Sequence, residues 1–173
     1  MSEGKPPAFS PQKKQTIERM VDQYQTALLR TCYLYLGDRA LAEDAVQETF
    51  FKAYLKLDGF HGACSEKTWL MKIAVNICHD MRKTNWFRHV DRRVTPEMLP
   101  EASVSYEPLG QELIVAVMNL PPKLRETVLL YYYQDMDTNE IAEALGIARS
   151  SVSDRLLRAR RKLRNQLEGR VIP

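Results

Sequence analysis

Apolar residues recur at helical spacing through almost the whole chain, and the pattern fails once, between Trp86 and about Glu107. Within that gap the stretch "RRVTPEMLPEASVSYEP" carries Pro96, Pro100 and Pro108 and has no 3.6-residue period. Proline fixes φ and removes a backbone donor, so this stretch reads as a linker, partly extended. Elsewhere no strand signal is found, and glycine is scarce, with 7 in 173 residues. The expected fold class is therefore all-α: two small helical domains, residues 10–88 and 108–170, joined by a flexible linker at 89–107.

Local signals place the helices. Ser10 and Pro11 look like an N-cap and a first-turn proline, opening a helix that runs to about Leu36 and stops at Gly37. Asp38 caps a second helix that ends near Asp58-Gly59, with Ala42, Ala45, Val46, Thr49, Phe50, Ala53 and Leu57 as its apolar face. Residues 59–65, "GFHGACS", form a loop. A third helix is expected from about Glu66 to Thr84, with Leu70, Ile73, Ala74, Ile77 and Met81 as its stripe. Lys72, Asn76, His79 and Lys83 gather opposite that stripe, and Trp69 projects near the same side. Beyond the linker, helices are expected at Leu109 to Asn119 and Pro122 to Gln134, where Val128, Leu129 and Tyr132 read as core.

The C-terminal stretch is the most informative. "DTNEIAEALGIA" reads as a short helix with Asp137 or Thr138 as N-cap and Ile141, Ala142 and Leu145 on its buried side. Gly146 tolerates the left-handed conformation that ends it, and Ile147 plugs the space before the next helix. In the following "RSSVSDRLLRARRKLR", Val152, Leu156, Ala159, Leu163 and Leu167 share one arc at 100° per residue. Ser150, Asp154, Leu157, Arg158, Arg161 and Asn165 lie roughly opposite. A short helix, a glycine turn and a basic second helix form a helix-turn-helix, whose second helix enters the DNA major groove. Small polar residues suit the groove floor and cations suit the phosphates. Ser150, Ser153 and Asp154 meet the first need; Arg149, Arg155, Arg158 and Arg161 meet the second. An aspartate among arginines repels phosphate, so Asp154 is either an acceptor for a cytosine amino group or a brace for a neighbouring arginine.

Formal net charge is only +3, so the basic character is local to the C-terminal end, as nucleic-acid binding requires. No apolar run approaches the length of a membrane span, and "MSEGKPPAFSPQKK" has no signal-peptide core; a cytoplasmic protein without stable membrane insertion is expected. Cys32, Cys64 and Cys78 form no C-x-x-C pair and read as reduced thiols. His61, Cys64, Cys78 and His79 have ligand chemistry, but Cys78 sits beside the apolar stripe and His79 across from it, so no metal is expected. No phosphate loop, nucleophile elbow or paired-carboxylate arrangement is found; neither a cofactor nor catalysis is expected. The sequence runs to Pro173, soon after the helix-turn-helix, and no C-terminal regulatory domain is expected.

Three segments together, "EDAVQETFFKAYLKLDGF", "TWLMKIAVNICHDMRK" and "LPPKLRETVLLYYYQDMDTNEIAEALGIARSSVSDRLLRARRKLR", resemble the extracytoplasmic-function (ECF) sigma factors of bacterial RNA polymerase. The resemblance covers about Gln23 to Leu167, in the family's order and spacing. It implies a sigma region 2-like domain for core polymerase binding and −10 recognition and melting, and a region 4-like domain for −35 recognition. "DAVQETFFKAY" resembles the segment that docks on the clamp coiled coil of the largest polymerase subunit, with Asp44, Gln47, Glu48, Phe50 and Lys52 at the matching positions; for Phe50 the alternative is core packing. "TWLMKIAVNICHDMRK" resembles the promoter-melting helix, with Asn76 where the family reads a base. Trp69, Lys72, His79 and Lys83 accompany it, since amides, aromatics and cations suit single-stranded DNA. Asp80 departs from the amide or basic residue more usual nearby. The loop stands where the family captures an unstacked base, and Phe60 and His61 either stack on that base or close the helix pair.

In the C-terminal domain Ser153, Asp154, Leu157 and Arg158 hold the family's recognition positions, and Leu157 is suited to a thymine methyl. The linker, with Asp91, Glu97, Glu101 and Glu107, resembles the segment threaded through the polymerase's active-site and RNA-exit channels. The implied partners are core RNA polymerase, through clamp and flap, promoter DNA, and an anti-sigma factor. The rival reading is a stand-alone helix-turn-helix regulator, which needs a dimer seam or a ligand pocket that the sequence does not clearly show.

Overall fold

The computed structural model describes residues 10–83 and 108–169, and all regular structure among them is helical. The linker positions Asp91, Glu97, Glu101 and Glu107, and the expected third-helix end at Thr84, lie outside the described residues. The N-terminal domain packs three helices, α1 (Pro11–Leu36), α2 (Arg39–Lys56) and α3 (Glu66–Lys83), with α2 antiparallel to the other two. Ser10 has the extended backbone of an N-cap, but its hydroxyl caps nothing; Pro11 does the work of fixing the first turn. Gly37, at φ 71°, closes α1 in the left-handed region. Asp38 caps α2 as expected, accepting from the Leu41 amide at 2.9 Å. A single 3-10 turn, Leu57–Gly59, ends α2, and Ser65 starts α3 by accepting from the Thr68 amide at 3.0 Å.

The C-terminal domain is built from α4 (Pro108–Met118), α5 (Pro122–Val128), α6 (Thr138–Leu145) and α7 (Arg149–Glu168). One turn of π-helix, Leu129–Tyr133, continues α5. The wider turn shifts the register by a residue. Val128 and Leu129 stay buried as expected, Leu130 joins them, and Tyr132 swings out to 49% exposure rather than entering the core. In α6 the fully buried residues are Ile141 and Ala144; Ala142 and Leu145 are only partly covered. Val152, Leu156 and Ala159 of α7 are buried, and the stripe continues half-buried through Leu163 and Leu167.

The two domains pack against each other, and this packing was not expected from the helical stripes. Six consecutive residues of α1, Thr31 to Leu36, are buried. A helix covered by one layer buries only a stripe, so this end must be enclosed on all sides. Likewise α3 buries Thr68, Met71, Val75 and Cys78 besides its expected stripe. That second arc meets α6: the Thr68 hydroxyl donates to Glu140 at 3.1 Å, and the Lys67 ammonium donates to the Gln134 carbonyl. Gln134, 4% exposed, donates to the Thr31 hydroxyl at 2.7 Å. Cys78 abuts Cys32 in the α1–α3 seam, and their hydrogen bond, with burial, pushes the Cys78 thiol well above its ordinary range.

Candidate promoter and polymerase interfaces

The helix-turn-helix is held by local chemistry. Asp137 accepts from the Asn139 and Glu140 amides at 2.7 and 2.9 Å, and Glu140 accepts from the Asp137 amide at 2.8 Å, a reciprocal capping box. Gly146 has φ 64°; a Cβ there would meet no neighbour, so its constraint is the left-handed backbone and not space. Ile147 is half-buried between α6 and α7.

On α7, Ser150, Ser153, Asp154, Leu157, Arg158 and Arg161 are all exposed, and Leu157 reaches 55%. They form one continuous outward face. Asp154 lies 3.6 Å from Arg158, both 61% exposed, and Arg149 donates to the Thr138 hydroxyl at 3.1 Å. Arg155 differs from expectation. Its side chain is 16% exposed and donates to Glu126 at 2.9 Å, so in this structure it braces α7 on α5 instead of facing a phosphate. Arg160 points elsewhere too, donating to the Tyr132 hydroxyl at 2.8 Å.

On α3, Lys72, Asn76 and Lys83 are exposed along one side, with Asp80 beside them. The aromatic end of that face is ordered: Phe60 stacks on Trp69 with centroids 4.6 Å apart and planes 20° from parallel, so Phe60 closes the loop onto the helix. His61 remains exposed at the loop tip, next to Gly62 at φ 76°. His79, expected on this face, turns instead to the other domain.

On α2, Asp44 and Gln47 are exposed, and Glu48 and Lys52 are half-buried and pair at 3.5 Å. Phe50 is 8% exposed and belongs to the core, so it is not available as a surface contact here. Its neighbour Phe51, 58% exposed, and Leu55, 47% exposed, supply the apolar part of the outer face; one step along a helix is a 100° turn, which the sequence resemblance alone did not separate.

The residue that sequence reasoning missed is Glu126. It is 3% exposed and accepts from the Tyr35 hydroxyl at 2.6 Å, from His79 Nε2 at 2.7 Å and from Arg155 at 2.9 Å. Three elements from two domains thus converge on one carboxylate. Burial is the largest single influence and raises its pKa, but hydrogen bonds from His79 and Tyr35 and attraction to His79 and Arg155 together hold it below the ordinary carboxylate value. The Tyr35 hydroxyl is pushed far up, by burial first and then by the Glu126 charge. Among the described residues no group of three or more His, Cys, Asp or Glu is placed to hold a metal. None of the described helices is long and apolar enough to cross a membrane.

An all-helical pair of domains, one ending in a capped helix-turn-helix with an outward basic face, defines a DNA-binding transcription factor. Residues 20–88 match Sigma-70 region 2, and residues 110–163 match Sigma-70, region 4. The ECF RNA polymerase sigma factor SigW of Bacillus subtilis is 32% identical over 162 residues, covering 86% of this chain and 87% of SigW. ECF sigma factor SigL of Mycobacterium tuberculosis is 34% identical over 155 residues, covering 86% and 87%. The chain belongs to the ECF RNA polymerase sigma factor family. Among solved structures, the sigma factor RpoE in complex with the anti-sigma factor NepR from Bartonella quintana shares the fold, with a TM-score of 0.75 at 24% identity over 89% of this chain and 98% of that one.

Proposed function

We propose that this protein binds core RNA polymerase in the cytoplasm and directs it to promoters through −10 and −35 elements, without catalysing a reaction of its own. The N-terminal domain, residues 10–88, takes polymerase binding and the −10 element; residues 89–107 link it to residues 108–170, which read the −35 element. The observation that carries this reading is the pair of exposed faces on α7 and α3. Ser153, Asp154, Leu157 and Arg158 present mixed polar and apolar groups to a groove, flanked by Arg149 and Arg161 for phosphates. Lys72, Asn76 and Lys83 present cations and an amide to unpaired bases. An anti-sigma factor is the expected regulator, as in the Bartonella complex. The deciding experiment is multi-round transcription with purified core polymerase on promoters selected from a random library; a stand-alone regulator would bind DNA yet give no core-dependent start.

Two surface predictions follow from the placement of side chains. Gln47→Ala combined with Glu48→Ala should weaken competition for core by about tenfold, while the melting temperature moves little. Their positions are outside the buried face, and the Glu48–Lys52 surface pair is worth only about 0.3–0.5 kcal/mol. Normal competition by the double variant would remove α2 from the docking surface.

Asn76→Ala should reduce open-complex formation on the wild-type −10 sequence, by about 1–3 kcal/mol if a hydrogen-bonded base contact is lost. On a promoter where the base it reads is already changed, the same variant should do much less harm. Equal loss on both promoters would assign Asn76 a structural role.

A further inference from the structure

Two exposed arginines of α7 are held by hydroxyl groups from outside that helix. Arg149 Nε donates to the Thr138 hydroxyl at 3.1 Å, and Arg160 Nε donates to the Tyr132 hydroxyl at 2.8 Å. Arg160 also lies 5.8 Å from the ring centroids of both Tyr131 and Tyr132, which meet edge to face at 4.9 Å. In each pair one guanidinium N–H is used, and the four on the two terminal nitrogens are left over. Among the described residues neither arginine is ion-paired with a carboxylate. Arg155, which braces the fold, is treated differently: it is 16% exposed and paired with the buried Glu126. A neutral hydroxyl orients a guanidinium without neutralising it.

The two arginines share one side of α7. They are eleven positions apart, about three turns, so at 100° per residue they lie within about 20° of each other and roughly 16 Å apart along the axis. That row flanks the outward face, about 100° around the helix from Arg161. Both holders come from one connection, the π turn Leu129–Tyr133 and the segment that leads into α6. Two uncommon backbone conformations fall in it: the π turn, which swings Tyr132 out to 49% exposure, and Asp135 in the left-handed region at φ 52°. Such conformations cost free energy and cluster where function uses them. Neither hydroxyl is needed to build the domain. Asp137 and not Thr138 caps α6, and Tyr132 lies outside the core. Asp135 and Asp137 line one cavity with Tyr132 and Thr138, yet neither pairs with an arginine; the Asp137 carboxylate is spent on the Asn139 and Glu140 amides.

We propose that Tyr132 and Thr138 are positioning residues: they fix Arg160 and Arg149 as the two ends of a second phosphate-binding row, which follows the backbone of one DNA strand beside the recognition face of α7. The inference rests on the −35 reading of this domain. A guanidinium held at Nε presents its terminal nitrogens as a fork, which matches two oxygens of a phosphate. One strand carries a charge about every 3.4 Å of duplex axis, so two anchors roughly 16 Å apart both find phosphates. The side chains are ordered before DNA arrives, which removes part of the entropy cost of binding. Arg160 thereby joins the DNA contacts, and the outward swing of Tyr132 acquires a purpose.

The test uses the full chain with core polymerase on a duplex promoter, with affinity followed against salt. Arg160→Ala should lower the dependence of log affinity on log salt by about one unit and weaken every −35 sequence alike. Should that variant melt early, Arg160→Gln, which keeps most of the stem, reads the same slope. Tyr132→Phe keeps both rings and the arginine charge. It should cost roughly 2- to 10-fold in affinity with the salt slope unchanged. Thr138→Val should act in the same way, and Thr138→Ser should restore wild-type binding. Coupling separates positioning from support: Tyr132→Phe should cost nothing further beside Arg160→Ala, and Thr138→Val nothing further beside Arg149→Ala. Additive losses, or an unchanged salt slope for Arg160→Ala with a lowered melting temperature, would make these pairs braces of the fold and overturn the inference. A wild-type chain that forms no core-dependent promoter complex would sink the sigma-factor reading instead.

Discussion

Glu126→Ala should be the most damaging single substitution outside the apolar core. Truncation leaves the Arg155 guanidinium, 16% exposed, without its carboxylate, and leaves the Tyr35 hydroxyl and His79 facing a cavity. Removing one partner of a buried charged pair costs about 3–5 kcal/mol, because the other charge stays desolvated. For a chain of this length that corresponds to a fall in melting temperature of roughly 10 °C. Glu126→Gln should fall between wild type and Glu126→Ala. It keeps the volume and one acceptor but turns an amide donor toward three donors.

The pH dependence has a definite sign. The folded carboxyl is held below its ordinary value, so its contribution is complete above that ordinary value and is lost as pH falls through the depressed one. The stability difference between wild type and Glu126→Gln, measured by urea titration, should therefore shrink as pH falls below the ordinary carboxylate range. A melting temperature for Glu126→Ala within about 2 °C of wild type would show that the three contacts contribute little.

Why Glu126 escaped the sequence reading is instructive. Along a helix it stands three and four residues before Leu129 and Leu130, both fully buried, so it shares their side. An acid in line with core leucines is a visible signal, but its partners lie on α1, α3 and α7, which no local periodicity connects. The same cause explains α1 and α3. The expected stripe of α3 is buried from Leu70 through Ile77, while Met71, Val75 and Cys78 beside it, like Thr31 to Leu36 on α1, are buried because a second domain covers them. The apolar run "LLRTCYLYL" was the trace of this in the sequence. Local devices, by contrast, were fully legible: the Asp38 cap, the left-handed Gly37 and Gly146, and the outward set of α7 follow from residue chemistry at fixed spacing. Tyr132 and Phe50 mark the limit of that method. A π turn moves the first by one register step, and the second differs from its exposed neighbour Phe51 by a single position.

Asp154→Ala should change which −35 sequences are preferred rather than how tightly DNA is held. Asp154 and Arg158 are 3.6 Å apart but both 61% exposed, so their pairing is screened and worth only about 0.3–0.5 kcal/mol. Bracing of that size does not explain an acid at the centre of a basic face, where it repels phosphate. Acceptance from a cytosine amino group would, and losing such a contact would cost about 1–3 kcal/mol of discrimination at one base pair. In a −35 library selected with Asp154→Ala, one position should therefore lose its preference by roughly 5- to 150-fold. Arg161→Ala provides the contrast: exposed on the same helix, it should weaken all sequences alike and lower the dependence of log affinity on log salt by about one unit. Arg155→Ala should behave as neither. Its guanidinium is bonded to Glu126, so its loss should appear as instability of the domain, with the salt slope unchanged. The selections are to be run at two salt concentrations with each variant. A uniform loss of affinity for Asp154→Ala, with every base preference intact, would reject the readout role and leave Asp154 as a partner of Arg158.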